Sequence, residues 1–396
     1  MHCRADDDRA TGRRMVVDRR IWISLLAASF IGACDSDSIP SLQRRAAQGD
    51  AKAQSDLGVE YAEGRRVTRD YALAVDWFRK SAEKGYAKGE TNLGLSYANG
   101  AGVEKDEIQA VTWFRKAAEQ GDMSAQNDLG AMYAAGRGVP KDESQALVWY
   151  TKAADQGNPR AQTNLGTMYV YAQGVPQDYQ KALAWYRKAA DQGDAEGEYD
   201  LGIMYSQGNG VAPDQTEAIR WLLKAAAKGN AFAEARLGQI YDEGIGGTPK
   251  DESLAASWLR KSSEHGNYGA QCKLGSMYAE GEGVGKDEAQ AVAWYQKAAA
   301  QGLALCQFNL ASAYESGVGV SKDEALAVSW YRKAAEQGYA HAQTHLGEMY
   351  ESGRGVAKDE TLAASWFSKA AAQGDEEATK DLARVAANPK PASRAK

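Results

Sequence analysis

The stretch "AQNDLGAMYAAGRGVPKDESQALVWYTKAADQG", residues 125–157, contains the unit from which most of this chain is built. Its first half places Ala125, Leu129 and Tyr133 four residues apart. In the second half of the preceding copy, Ala110, Phe114 and Ala117 follow each other at spacings of four and three. Both spacings are typical of one face of an α-helix. Each unit is therefore predicted to be two helices, A and B, joined by a glycine-containing turn.

The unit recurs along the chain with a step of 36 residues and one step of 37. The extra residue falls in the loop at residues 244–249, where an insertion costs little. Nine tryptophans keep the same step, which predicts nine copies with a large core side chain such as Trp149 in each. The leucine of helix A marks the copies, at Leu57, Leu93, Leu129, Leu165, Leu201, Leu237, Leu274, Leu310 and Leu346.

The ends of the helices also have sequence signals. Asp106, with Gln109 three residues later, is typical of a residue that caps the start of helix B. Gly121 is suited to the left-handed conformation that ends a helix. Gly94 and its equivalents cost helix stability, about 1 kcal/mol against alanine. Their recurrence predicts that helices A and B approach closely at that position.

These units resemble the Sel-one-like repeats (SLR), relatives of the tetratricopeptide repeats. The family pattern is A-x-x-x-L-G-x-x-Y, then G-x-G-V, then D-x-x-x-A-x-x-W-[YF]-x-x-A-A-x-x-G, and residues 125–157 follow it closely. The resemblance implies an all-α fold, a right-handed α-solenoid of about nine 36-residue helix-turn-helix repeats within residues 41–388. Residues 41–49 and 375–388 match single helices and indicate half-repeat caps, and residues 389–396 are expected to be a disordered tail. Departures from the pattern are Ala311 for glycine, Leu222 and Leu259 for the aromatic residue, and Cys306 for a small residue.

The N-terminal region resembles a bacterial lipoprotein signal. The apolar run 21–31 is too short for a membrane-spanning helix, which needs roughly 20 residues, and Arg19 and Arg20 precede it. Ile31-Gly-Ala-Cys34 resembles a lipobox. The resemblance implies a signal peptide at 1–33, or from Met15, lipidation of Cys34, a linker at 34–40 and a periplasm-facing location in the cell envelope, at the inner or the outer membrane. The alternative is a short buried helix that ends in a cysteine.

Charge and cysteine content narrow the function further. The net charge of −6 argues against nucleic-acid binding, because a protein that binds nucleic acid requires a basic surface. Beyond Cys34 the chain keeps Cys272 and Cys306. The two could form one bridge, but two small buried thiols are the favoured prediction.

Three motifs suggest chemistry, and each has a simpler explanation. His341 and His345 have metal-ligand spacing, but Ala342 stands where a zinc protease requires glutamate. The loop 281–288 lacks the first glycine and the Ser or Thr of a phosphate loop. Ser81 and Lys84 have the Ser-x-x-Lys spacing of penicillin-interacting proteins, but Ser81 takes a small, buried position. The sequence therefore predicts no enzyme, no catalytic residue, no cofactor and no metal; an enzyme acting on cell-wall material or β-lactams is the alternative.

A partner-binding surface is predicted from the positions of helix A that do not recur in type. Counted from its leucine as zero, these are −5, −2, +2 and +5, which share one face, and in tetratricopeptide relatives they line the groove. The stripe is polar and basic in early repeats and acidic late, and its apolar members are the predicted partner-binding residues Tyr199, Ile203, Phe232, Leu305 and Phe308. Their alternative role is packing between repeats. We expect a membrane-anchored envelope scaffold or adaptor that binds a protein or peptide, with a structural component of an export complex as another alternative.

Overall fold

The computed structural model describes residues 38–387, which divide into two units between Pro213 and Asp214. The predicted signal peptide, Cys34 and residues 389–396 lie outside this part of the chain. Within residues 38–387 every regular element is helical: twenty α-helices and one short 3₁₀ turn, with no strand. The prediction of an all-α fold of helix pairs is confirmed.

The first unit holds a single helix followed by helices A and B in alternation. Its helices are α1 (Ile39–Ala47), α2 (Ala51–Glu63), α3 (Tyr71–Glu83), α4 (Ala87–Asn99), α5 (Glu107–Glu119), α6 (Met123–Ala135), α7 (Glu143–Asp155), α8 (Pro159–Tyr171), α9 (Tyr179–Asp191) and α10 (Ala195–Gln207). Helix A of each repeat has an even number and helix B an odd one.

The second unit continues the alternation. Its helices are α11 (Gln215–Ala227), α12 (Ala231–Glu243), α13 (Glu252–Glu264), α14 (Tyr268–Glu280), α15 (Glu288–Ala300), α16 (Ala304–Ser316), α17 (Glu324–Glu336), α18 (Ala340–Ser352), α19 (Glu360–Ala371) and α20 (Glu376–Ala387). The extra residue of the sequence lies in the 3₁₀ turn Ile245–Gly247, where Gly246 has a positive φ of 64°. The insertion is thus confirmed in a loop.

The predicted helix ends are present. The Asp106 carboxylate accepts hydrogen bonds from the backbone N–H groups of Ile108 and Gln109, at 2.9 and 3.0 Å. Gly121 follows the end of α5 with a φ of 94°. Such caps satisfy backbone groups that a helix leaves unpaired at its ends, so α5 begins and ends where its sequence specifies.

Helices A and B of one repeat meet at a glycine. A Cβ atom added to Gly94 on α4 would lie 2.7 Å from the ring of Phe114 on α5. Ala110, Phe114 and Ala117 are all fully buried. The predicted close approach is confirmed, and the ring that fills it belongs to the residue after the tryptophan.

The tryptophan of the third repeat, Trp149, has a different role from the one predicted. Trp149 is only half-buried, whereas Tyr150, the next residue, is 4% exposed. The Trp149 ring packs against a buried cluster formed by the second and third repeats, and Nζ of Lys152 lies 4.1 Å from its centroid. The tryptophan therefore closes the seam between repeats, and a lysine one turn later covers its outer side.

Glutamines join successive repeats by a chain of hydrogen bonds. Gln156, at the end of α7, donates from Nε2 to Oε1 of Gln126 on α6 at 2.7 Å. Gln126 in turn donates to the carbonyl of Ala118 at 3.1 Å. In the second unit His265 and Glu234 take the same two places, with Nδ1 and Oε2 2.7 Å apart. These bonds satisfy side chains that stacking of the repeats buries.

Candidate partner-binding surface

The sequence predicted that the −2 position of helix A lies on an open face. In the structure this position lies between successive repeats instead. Thr91 and Thr163 donate from Oγ1 to the carboxylates that cap the next helix A, Asp122 at 3.2 Å and Asp194 at 2.9 Å. At this position only 2–7% of the residue is exposed in five repeats, at Ser55, Thr91, Asn127, Thr163 and Thr344. Small polar side chains occupy it because it must fit against a neighbouring helix.

A row of residues at the −1 position was missed by the sequence reasoning. Asn164 donates from Nδ2 to Oδ1 of Asn127 at 3.0 Å, and Asn92 donates to Oγ of Ser55 at 3.3 Å. In the first unit Asp and Asn alternate there, at Asp56, Asn92, Asp128, Asn164 and Asp200. This alternation of Asp and Asn was the sequence signal for the row. The side-chain amide of an asparagine at −1 can donate to the −2 residue of the preceding repeat.

Asp128 is a buried carboxyl of this row. Its burial raises the pKa from 3.8 to about 7, although the Asn127 amide and the Arg160 guanidinium lower it. Nδ2 of Asn127 donates to its Oδ1 at 3.1 Å. The side chain is 9% exposed, so proton binding there is linked to how tightly the repeats pack.

The five residues predicted to bind a partner lie in both units. Tyr199 and Ile203 are half-buried on α10 in the first unit. In the second unit Phe232 is half-buried on α12, and Leu305 and Phe308 are half-buried on α16. Of these residues, Phe308 packs against other aromatic rings of the second unit.

Phe308 is the centre of a cluster of five rings, which we call the ring cluster. Its centroid lies 5.2 Å from that of His345, with the planes 26° apart, 5.4 Å from Tyr339, 5.6 Å from Tyr331 and 6.3 Å from His341. The Phe308 ring thus packs against two rings of its own repeat and two of the ninth repeat. The cluster keeps an open side, since 68% of the His341 side chain is exposed and Phe308 and Tyr339 are only half-buried.

Carboxylates surround the ring cluster. Glu315 accepts hydrogen bonds from the Tyr331 hydroxyl at 2.7 Å and from Arg354 at 2.5 Å. Burial, together with Glu315, raises the pKa of the Tyr331 hydroxyl, which therefore stays protonated. Nδ1 of His345 lies 3.5 Å from Oε2 of Glu348.

The same carboxylates act on the His345 imidazole. Burial lowers its pKa, but Glu348, Glu315 and Glu377 outweigh this effect, and the net shift is upward. The other histidine of the cluster faces a carboxylate as well, with Nδ1 of His341 3.3 Å from Oδ2 of Asp375.

Cys272 and Cys306 form a disulfide, so the favoured prediction of two thiols is wrong. Cys272 occupies the −2 position of α14 and Cys306 the −4 position of α16. Their Cα atoms are 5.8 Å apart, within the range that a disulfide spans. The reason is the packing described above: the −2 residue of one helix A faces the next helix A.

The motifs that suggested chemistry have structural roles. Ser81 is fully buried and donates from Oγ to the Ala51 carbonyl at 2.6 Å, while the Lys84 ammonium binds the Gly49 carbonyl. In the loop 281–288 a Cβ on Gly283 would lie 2.1 Å from the Glu252 carbonyl oxygen, so packing requires that glycine. Among residues 38–387, no three His, Cys, Asp or Glu side chains are arranged to hold a metal ion.

Comparison with known protein families identifies the repeat. The family model described as Sel1 repeat matches nine consecutive segments of about 36 residues, from residue 51 to residue 375. The segments are 51–86, 87–122, 124–158, 159–194, 195–230, 231–267, 269–303, 304–339 and 340–375.

Two solved structures share the fold. A protective antigen of uropathogenic Escherichia coli with an SLR fold is 38% identical, with a TM-score of 0.64 over 89% of this chain and 75% of that one. A Sel1 repeat protein from Oxalobacter formigenes is 35% identical, with a TM-score of 0.60 over 83% and 93%. Among characterised proteins, the secretory immunoglobulin A-binding protein EsiB of Escherichia coli is 38% identical over 66 residues. That match spans 15% of this chain and only 14% of EsiB.

Proposed function

Because the chain belongs to the Sel1 repeat family, we propose that it is an envelope lipoprotein scaffold that binds a protein or peptide along its helices A. The observation that carries this proposal is the open side of the ring cluster on α16 and α18. At the −2 position five repeats hold small polar side chains, whereas Phe308 places a ring there. The rings of Tyr339 and His341, at the start of α18, lie against it. Aromatic side chains are favoured anchors in protein interfaces.

The relatives support recognition of proteins as the general role. EsiB is named for binding secretory immunoglobulin A, and its similarity to this chain is confined to a short stretch. We extend to this protein only the class of activity, recognition of another protein, and not that partner. A stack of helix pairs has an extended surface suited to such binding.

The proposed anchor is a lipid on Cys34, with the repeats facing the periplasm. The lipobox-like sequence 31–34 supports it. The disulfide between Cys272 and Cys306 independently supports the periplasmic location of the repeats, because disulfides persist in oxidising compartments such as the periplasm and are rare in the cytosol. No helix among residues 38–387 has the length and apolar character needed to cross a membrane.

Intact-mass and N-terminal analysis of the protein from native membranes tests the anchor. We expect a chain that begins at Cys34 and carries acyl groups. A chain that begins at Met1 or Met15 without lipid would refute the anchor and would leave the binding proposal standing.

Co-purification from envelope extracts tests the binding surface. Full-length tagged protein should retain its partner in an Ile108→Glu variant, since Ile108 is 67% exposed on helix B. Lys88→Glu on α4 or His341→Ala on α18, both at positions exposed on helix A, should reduce the retained partner. Loss of the partner in Ile108→Glu alone would place binding on helix B and contradict the proposal.

A further inference from the structure

The ring cluster has a composition that no other repeat of the second unit has. At the −2 position Phe308 replaces the small side chains found in the other repeats of the second unit, and the −1 and −5 positions of the next helix A hold His345 and His341. Two adjacent helices A, α16 and α18, also begin without a side-chain cap, at Leu303 and Tyr339. Lack of a cap destabilises the start of a helix, and at Tyr339 the capping position contributes a ring to the cluster instead.

The open side of the cluster presents ring faces and edges to solvent. Tyr339 and His341 meet edge to face with centroids 5.7 Å apart, and both contact Phe308. The His341 side chain is 68% exposed. A ligand group approaching from solvent would therefore meet aromatic surface backed by the buried Tyr331 ring, which is fully covered.

The charged groups around the cluster are mostly negative. Glu315 on α16, Glu348 on α18, and Asp375 and Glu377 at the start of α20 all act on its two histidines or on Tyr331. Arg354 contributes a positive charge beside Glu315, and the carboxylates favour the protonated form of His345. Aromatic faces attract cations through their quadrupole, and the carboxylates add a negative potential at the same place.

We propose that the open side of the ring cluster binds a lysine or arginine side chain of a basic, extended peptide segment in the protein partner. This inference rests on the proposed function and specifies the chemistry of the partner. A guanidinium or ammonium would lie against Phe308, Tyr339 and His341 with Glu348 and Asp375 nearby. Charge complementarity favours this occupant over an acidic or purely apolar segment, which would gain nothing from the carboxylates.

Fluorescence anisotropy with two labelled probes tests the inference on the purified full-length protein. One probe is an arginine-rich decapeptide, and the other has the same sequence with glutamate in place of each arginine. We expect the basic probe to bind about tenfold more tightly, with an affinity that falls as salt is raised. Equal affinities, or no binding of either probe, would overturn the inference.

Matched variants locate the site. Phe308→Leu keeps an apolar side chain but removes the ring, and should weaken the basic probe about fivefold. Phe114→Leu, the same change in the buried core of the first unit, should leave affinity unchanged. Glu348→Gln should weaken the probe about two- to threefold, against no change for Glu119→Gln on the exposed face of α5.

Circular dichroism shows whether Phe308→Leu remains folded. If it does not, the affinity of the basic probe for His341→Gln is measured instead. The His341 side chain is exposed, so this substitution should weaken binding without loss of helix. Unchanged affinity in both Glu348→Gln and the folded ring variant would overturn the inference. If the basic probe fails but helix A variants still lose the co-purified partner, this inference is wrong and the scaffold proposal stands. If the probe binds the cluster but no partner depends on helix A, the scaffold proposal fails instead.

Discussion

Replacing Asp128 by asparagine tests the packing between successive helices A. Burial raises the pKa of this carboxyl from 3.8 to about 7. The folded chain therefore binds a proton at this position more tightly than the unfolded chain. The resulting stabilisation is fully present below pH ~4 and is lost as the pH rises through about 7.

The magnitude follows from the size of the shift. Each pKa unit corresponds to about 1.4 kcal/mol, so Asp128 should contribute about 2 to 3 kcal/mol less to folding at pH 8 than at pH 5. An asparagine does not titrate, and its oxygen can still accept the hydrogen bond from Asn127, which spans 3.1 Å in the native chain. Relative to the wild type, Asp128→Asn should therefore gain about 2 to 3 kcal/mol of unfolding free energy between pH 5 and pH 8.

Guanidinium-induced unfolding at both pH values, followed by circular dichroism and by amide exchange of α6, provides the measurement. The matched control is Asp155→Asn, because Asp155 is exposed at the end of α7. The change in unfolding free energy measured for that variant is the baseline for removing an exposed carboxylate. A stability difference for Asp128→Asn that is the same at pH 5 and pH 8 would refute the link between burial and protonation.

Three further results are expected from the packing. Tyr150→Ala should cost about 3 to 5 kcal/mol of unfolding free energy, because it deletes a buried ring. Trp149→Ala should cost less, because Trp149 is only half-buried. The reverse order in denaturant-induced unfolding would contradict the assignment of the core. Gly94→Ala should destabilise by about 1 to 3 kcal/mol, because its Cβ would lie 2.7 Å from the Phe114 ring, and adding Phe114→Leu should recover part of that loss. Reduction by dithiothreitol should destabilise the second unit by about 2 to 4 kcal/mol, the usual effect of a cross-link over 34 residues, and should have no effect on a Cys272→Ser, Cys306→Ser double variant.

Most of the fold was predictable because the same helix-capping, turn and packing residues recur in the nine repeats. Asp106, Gly121 and Gly94 each have a role set by helix geometry alone, and each is found where the sequence predicts it. The tryptophan was misread for a physical reason. Its recurrence signals a packing requirement, but recurrence does not say whether a side chain fills a core or closes a seam between repeats.

The candidate site was harder to predict because it depends on how one repeat faces the next. The helical period does not show which of two neighbouring positions, −2 or −1, packs against the next helix A. The same uncertainty left the pairing of Cys272 and Cys306 open, although the two positions face each other in the structure. The ring cluster joins Phe308 to His341 and His345, more than thirty residues later, a contact that no local pattern contains.

Photo-crosslinking in intact cells tests the central claim, recognition of a partner along the helices A, most directly. A photoreactive residue would be placed at exposed helix A positions, Lys88 and His341, and at exposed helix B positions, Ile108 and Leu362. We predict a discrete crosslinked protein from one or both helix A positions and none from the helix B positions. Crosslinks that arise only from helix B, or none from any position, would contradict the account.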